Sequence, residues 1–114
     1  MAGVRNDKGD VLVSVCDPQN FLKDSCAYDG RAKAHPGEVV VTVDGVPPGV
    51  WAVQAFHDET LAGHVRQNLL GLPLDGLGFS NDAPFRFGPP TYSDAAFRLG
   101  PGGGRIRLTL RYLL

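Results

Sequence analysis

The densest group of titratable side chains in the sequence is His57-Asp58-Glu59, with His64 close behind. An imidazole beside two carboxylates is the raw material of a metal site or of an acid–base pair. A tetrahedral metal set needs further fixed ligands, and none stands at a suitable spacing. The simpler reading is that His57 ends a strand while Asp58 accepts hydrogen bonds from amides of the following turn. Ser80-Asn81-Asp82 contains a hydroxyl, but no Gly-x-Ser-x-Gly elbow surrounds it. Asn and Asp at that point read as an Asx turn. Arg105, Arg107 and Arg111 could meet an anion or an acidic partner, yet they alternate with apolar residues and read as the wet face of a strand. Trp51 and Tyr92 could line a ligand pocket, although a Trp in a central strand more often packs into a core.

Cys16 and Cys26 enclose a short polar segment that contains Pro18. Cys-x9-Cys is not a zinc spacing, and no paired His completes a ligand set. A disulfide closing this loop would stabilise the fold by about 2–3 kcal/mol in the chain-entropy model. Two free buried thiols are the alternative. So much turn in so small a chain favours the disulfide and an oxidising compartment.

The elements that must position these groups fit one domain spanning residues 1–114. Gly 15 and Pro 9 are high, but they separate apolar runs, which indicates many turns rather than disorder. The net charge of -1 excludes a charge-driven attraction to nucleic acid or to an anionic membrane. No apolar run is long enough to span a bilayer. Met1-Ala2-Gly3 leads directly into the turn Val4-Arg5-Asn6-Asp7-Lys8-Gly9 and does not read as a signal peptide, so the expectation is either a cytosolic protein or one whose leader lies outside this sequence.

Strand signals dominate. Val11–Val15, Glu38–Val43, Val50–His57, Asp94–Leu99 and Arg105–Tyr112 are the candidate strands. Pro47-Pro48-Gly49 predicts a bend joining the second run to the third as antiparallel neighbours. Gly100–Gly104 predicts a hairpin between the last two. In the final run Ile106, Leu108, Leu110 and Tyr112 are expected to face the core, opposite Arg105, Arg107, Thr109 and Arg111. A single helical turn fits Pro18–Lys23. Residues 58–92 have no clear period, but Leu69, Leu70, Leu72, Leu74, Leu77, Phe79, Phe85 and Phe87 carry too much apolar area to stay in water. This long loop is expected to be ordered and packed over one end of the domain.

Val4–Gly9 before a Val-rich strand, Pro47-Pro48-Gly49, Phe56-His57-Asp58-Glu59, Gly71-Leu72-Pro73, Gly78-Phe79-Ser80-Asn81, Phe87-Gly88-Pro89-Pro90 and Asp94-Ala95-Ala96-Phe97 follow one another in order. Each is weak alone, but in this order and spacing they resemble the bacterial DUF2141 family over essentially the whole chain. The resemblance implies a small secreted or periplasmic protein, with a leader that lies outside this sequence and no assigned activity. It also implies an all-β fold: a small antiparallel β-sandwich, immunoglobulin- or transthyretin-like, with one long ordered loop. Many members carry an Asn- and Asp-rich stretch after His-Asp-Glu that resembles a calcium loop. Here Leu61 and Ala62 supply no oxygen ligand and only Asp58 keeps a carboxylate, so no calcium site carries over.

The expectation is therefore a non-catalytic extracytoplasmic module with no cofactor and no metal. It would bind an envelope protein, a glycan or a small apolar ligand through the 58–92 loop. The candidate binding residues are His57, Asp58, Arg66, Asn68, Asn81, Arg86 and Tyr92. Two alternatives are a small hydrolase on a transthyretin-like fold and a divalent-metal-stabilised envelope module. The transthyretin-like hydrolase of purine breakdown ends in Tyr-Arg-Gly-Ser, whereas this chain ends Arg111-Tyr112-Leu113-Leu114. The cysteine pairing has a direct check. Intact mass is expected to rise by two hydrogens on reduction, and native protein with two freely alkylated thiols would rule the pairing out.

Overall fold

Val11–Val15 and Val50–His57 are the runs richest in β-branched and aromatic residues, which fit a pleated, packed surface. They form the two central strands of the sheet. The structure is a computed structural model that describes residues 1–65, 73, 75–85 and 88–112. Five strands, β1 (Asp10–Cys16), β2 (Tyr28–Lys33), β3 (Gly49–Asp58), β4 (Leu77–Phe79) and β5 (Phe97–Leu99), make one antiparallel sheet. Its order is β2-β1-β3-β4, with β5 also on β3. The one α-helix among the described residues is the short α1 (Tyr92–Ala95), whose N-terminus Thr91 and Asp94 close as a capping box.

Register fixes two faces. Val11 lies opposite His57, Val13 opposite Ala55 and Val15 opposite Val53 on the first face; Leu12–Phe56, Ser14–Gln54 and Cys16–Ala52 share the second. The first face is covered by extended chain. Val4, Val39, Leu108 and Leu110 are buried against Val11, Val15, Val53 and Ala55. Within that cover, Met1–Val4 runs between two neighbours. Met1 and Val39 exchange both backbone hydrogen bonds, as do Val4 and Gly37. On the other side the Ala2 amide donates to the Leu108 carbonyl and the Leu110 amide donates to Ala2, both at 2.9 Å. The second face carries a smaller cluster of Cys16, Phe21, Ala52, Phe79, Ala83 and Ala95. The Cys16–Cys26 disulfide, with Cα atoms 5.0 Å apart, holds the intervening loop on that face. Phe21 meets Phe79 and Tyr92 edge-on at 6.0 and 5.9 Å.

Several strand expectations are corrected. Glu38–Val43 keeps its alternation, with Val39 buried and Val40 75% exposed, but it forms no sustained ladder and does not pair with β3. β1 takes one edge of β3, and β4 and β5 share the other. Arg105–Tyr112 is likewise extended, with isolated bridges at Thr109 and Arg111 only. Leu108 and Leu110 are buried as expected, whereas Ile106 is 39% exposed. Asp94 and Ala95 belong to α1, so the strand before Gly100 starts at Phe97, and it pairs with β3 rather than with the last segment. β2 and β4 are additional strands. Each contains a glycine where another chain segment comes close. A Cβ on Gly30 would fall 2.6 Å from the Thr42 carbonyl, and one on Gly78 would fall 2.7 Å from the Leu108 side chain. Within the long loop, Leu77 and Phe79 pack as expected, while Leu69, Leu70, Leu72, Leu74 and Phe87 lie outside the described residues.

The two sides of the last segment should differ sharply in energy. Leu108→Ala is expected to cost about 2–4 kcal/mol by loss of buried contacts. Arg107→Ala, which removes only an exposed pair with Glu38, should stay within about 0.5 kcal/mol. Urea unfolding of the two variants checks the facing; equal costs would contradict it.

Candidate functional site

The odd-numbered phase of β3 (Trp51, Val53, Ala55, His57) points into the first face, so its last member places an imidazole where the others place apolar groups. His57 is fully buried. Its Nε2 lies 2.6 Å from the Lys8 carbonyl, which can only accept, so Nε2 carries the proton. Its Nδ1 lies 2.7 Å from the Tyr112 hydroxyl. That hydroxyl accepts from the Arg5 amide at 3.1 Å and has its own proton to give to Nδ1. Both ring nitrogens are thus engaged inside the protein. The Arg5 guanidinium sits 4.3 Å above the Tyr112 ring and pairs with Glu59 at 2.6 Å, and Asn6 also donates to Glu59.

These contacts shift two groups. Burial pushes the Glu59 carboxyl up. The hydrogen bonds from Arg5 and Asn6, with the charge of Arg5, more than offset it, and Glu59 lies below its ordinary value. Burial is also the largest influence on Tyr112, and with the Glu59 and Asp75 charges it outweighs the Arg5 hydrogen bond and charge, so the phenol lies above its ordinary value.

Asp58, also fully buried, turns to the second side of the strand. Its two carboxylate oxygens accept from the Ala62 and Gly63 amides at 2.9 and 2.8 Å. The tight turn that this allows places Leu61 and Gly63 at φ 57 and 81. Ser80 is buried; its hydroxyl accepts from the Val53 amide and donates to the Ala95 carbonyl. Asn81, at φ 61, donates to the Asp94 and Ala96 carbonyls. The Tyr92 hydroxyl donates to the Val50 carbonyl at 3.0 Å. The structure brings His57 and Asp58 together on adjacent positions with opposite facing. It sets Asn81 and Tyr92 apart from them, around α1. Arg66, Asn68 and Arg86 lie outside the described residues. No group of three or more His, Cys, Asp or Glu among the described residues could hold a metal ion.

What the second face does offer is a groove of about 950 Å³ beside its small core. Leu12, Ser14, Phe56 and Leu77 form its floor, His64, Val65 and Phe85 from the long loop its rim. Gln54 steadies one wall, accepting from the Leu22 amide and donating to the Lys23 carbonyl at 2.7 and 2.8 Å. Neither this groove nor the His57–Tyr112 pair was legible as a site. Both had a sequence signal, though. Val-Leu-Val is apolar on both phases of β1, the mark of a strand covered on both faces, and Tyr112 shares the inward phase of Leu108 and Leu110.

A family model described as an uncharacterized protein conserved in bacteria, DUF2141, matches residues 1–107. The chain belongs to that family. No curated protein and no solved structure matches it. Among the described residues of this DUF2141 chain, no helix is long and apolar enough to cross a membrane, and the Cys16–Cys26 disulfide fits an extracytoplasmic location.

A tyrosine whose folded value is raised contributes stability below its unfolded value of about 10 and loses it as pH rises through the folded value. Tyr112→Phe is expected to cost about 1–3 kcal/mol at neutral pH, because buried Nδ1 of His57 loses its donor. The variant should also lose less stability than the parent between about pH 9 and 11. Urea unfolding across that range checks both; parallel curves would contradict the shift.

Proposed function

We propose that this protein is a non-catalytic periplasmic or secreted module, built as a β-sandwich of the immunoglobulin or transthyretin type. It binds a small apolar ligand in the groove under the 58–92 loop. The groove itself carries the reading. Leu12, Phe56 and Leu77 give it a mostly apolar floor around Ser14, and Arg31 and His64 stand at its edges. An apolar lining with sparse polar groups is what small-molecule sites present. A loop held at its base by Asp58 and by α1 supplies the rim, as binding loops on rigid scaffolds do. A glycan would call for more free polar side chains than the floor offers. The hydrolase reading has less support, because both nitrogens of His57 are engaged internally. So has the divalent-metal reading, because both oxygens of Asp58 accept backbone amides.

An environment-sensitive naphthalene sulfonate dye tests the groove. The folded protein is expected to enhance its fluorescence. Leu12→Lys, which places a charge on the floor, should weaken dye binding about tenfold, equivalent to about 1.4 kcal/mol. The melting temperature checks that the variant remains folded. Unchanged dye binding by a folded Leu12→Lys variant would remove the groove from consideration.

A further inference from the structure

β2 ends the sheet order β2-β1-β3-β4, so one of its edges has no strand beside it among the described residues. The ladder decides which of its groups point there. The Ala34 amide donates toward β1, to the Gly9 carbonyl at 3.1 Å. Across β1, the His57 amide donates to Gly76, away from β1, so Phe56 bonds to Leu12 and leaves Val11 and Val13 to bond to β2. Both observations put the β1–β2 hydrogen bonds at Ala32 and Gly30, opposite Val11 and Val13. The amides and carbonyls of Asp29, Arg31 and Lys33 therefore face the open edge, and no described backbone group bonds to them.

The side chains along this edge are charged and exposed. Asp29 and Arg31 stand on the second face, with Gly30 between them. Arg31 pairs with Asp10 at 2.9 Å yet its side chain stays 59% exposed. Asp29 has no ion-pair partner among the described residues. Charges on an edge strand ordinarily turn a passing strand away. The order acid, glycine, base complements itself when run backwards. A two-fold rotation about Gly30 sets Asp29 opposite Arg31 of a second copy, and Arg31 opposite Asp29 of that copy. These are the residues whose backbone points outward, so each pair can exchange both main-chain hydrogen bonds. A slip in either direction sets Arg31 against Arg31 or Asp29 against Asp29, which is unfavourable. In the complementary register Gly30 meets Gly30 on the axis, where the strands come closest and no side chain stands in the way.

We propose that the β2 edge is a docking surface for a second copy of this chain, through antiparallel pairing of Tyr28–Lys33 with itself about a two-fold axis at Gly30. Main-chain hydrogen bonds supply the affinity and the two Asp29–Arg31 pairs fix the register. The contact is isologous and closes at the dimer. It joins the two sheets into one, and opposed residues share a face, so both grooves open on the same side. Asp29 and Arg31 border the groove, which places the second copy's edge beside it. The dimer goes beyond the ligand reading, and neither depends on the other. One pair of six-residue edges is small for an interface, so monomer and dimer exchange with concentration.

Sedimentation equilibrium of the full chain over a concentration series, up to millimolar, tests this. The mass is expected to rise from monomer to dimer. Asp29→Arg and Arg31→Asp each turn two attractive pairs into repulsive ones and should weaken self-association about tenfold or more. An equimolar mixture of these two variants restores opposite charges at both pairs, so it should dimerise at least as well as the parent. Melting temperatures check that both variants are folded. Amide hydrogen exchange on the parent needs no variant: Asp29 and Arg31 should exchange quickly in dilute solution and slow as the dimer forms. Three results overturn the proposal. The first is a monomer at every concentration. The second is a dimer that neither variant weakens, or that the mixture of folded variants fails to restore. The third is slow exchange at Asp29 and Arg31 already in the dilute monomer, which would mean that the chain itself covers this edge.

Discussion

A buried imidazole must have both nitrogens satisfied, because an unpaired polar group in a dry core costs several tenths to a few kcal/mol. His57 meets that condition only if two remote pieces of chain reach it: the Lys8 carbonyl from the first turn and the Tyr112 hydroxyl from the last extended segment. Both approaches are close and depend on glycine. Gly9 has φ 65, and a Cβ there would run into the Asp58 carbonyl. Gly76 lies under the Tyr112 ring, where a Cβ would fall 2.5 Å away. Arg5, stacked on Tyr112 and paired with Glu59, then closes the corner from outside. One histidine at the end of the longest strand thereby ties the first, middle and last parts of the chain together.

With that corner fixed, β3 determines what the two faces can be. It is the one strand that pairs with β1, β4 and β5. Its odd phase is committed to the larger core and its even phase to the disulfide-bearing side. Among the described residues, the second face is covered at one end. The loop held by Cys16–Cys26 brings Phe21 onto Phe79, and Ser80 links Val53 to Ala95, which closes one end. Leu12 and Phe56 continue the same face beyond that cluster, and there the groove begins.

The central strands, the disulfide pair and the inward set Leu108 and Leu110 were legible, because period two and β-branched composition are local properties. The pairing partners were not. Pro47-Pro48-Gly49 suggested a hairpin, but β3 already has partners on both edges, so the segment before it had to lie in another layer. β2 was hidden because Asp29-Gly30 reads as a turn; its glycine instead accommodates the carbonyl of Thr42 from that other layer. Ile106 shows the limit of periodicity. It has the phase of Leu108, but it borders the cavity over Val13 and Val15, so it stays 39% exposed.

The polar residues that stood out in the sequence have mostly been spent on backbone. Asp58 holds amides, as does Asp82, which accepts from the Thr109 amide; Asn81 and Tyr92 hold carbonyls, and Ser80 holds one of each. A side chain that already satisfies a buried or turn-forming group cannot turn to a ligand without exposing that group's cost. On the proposed ligand-binding reading, recognition falls to groups not already committed in this way, and among the described residues the groove over Leu12, Phe56 and Leu77 offers apolar surface beside such groups.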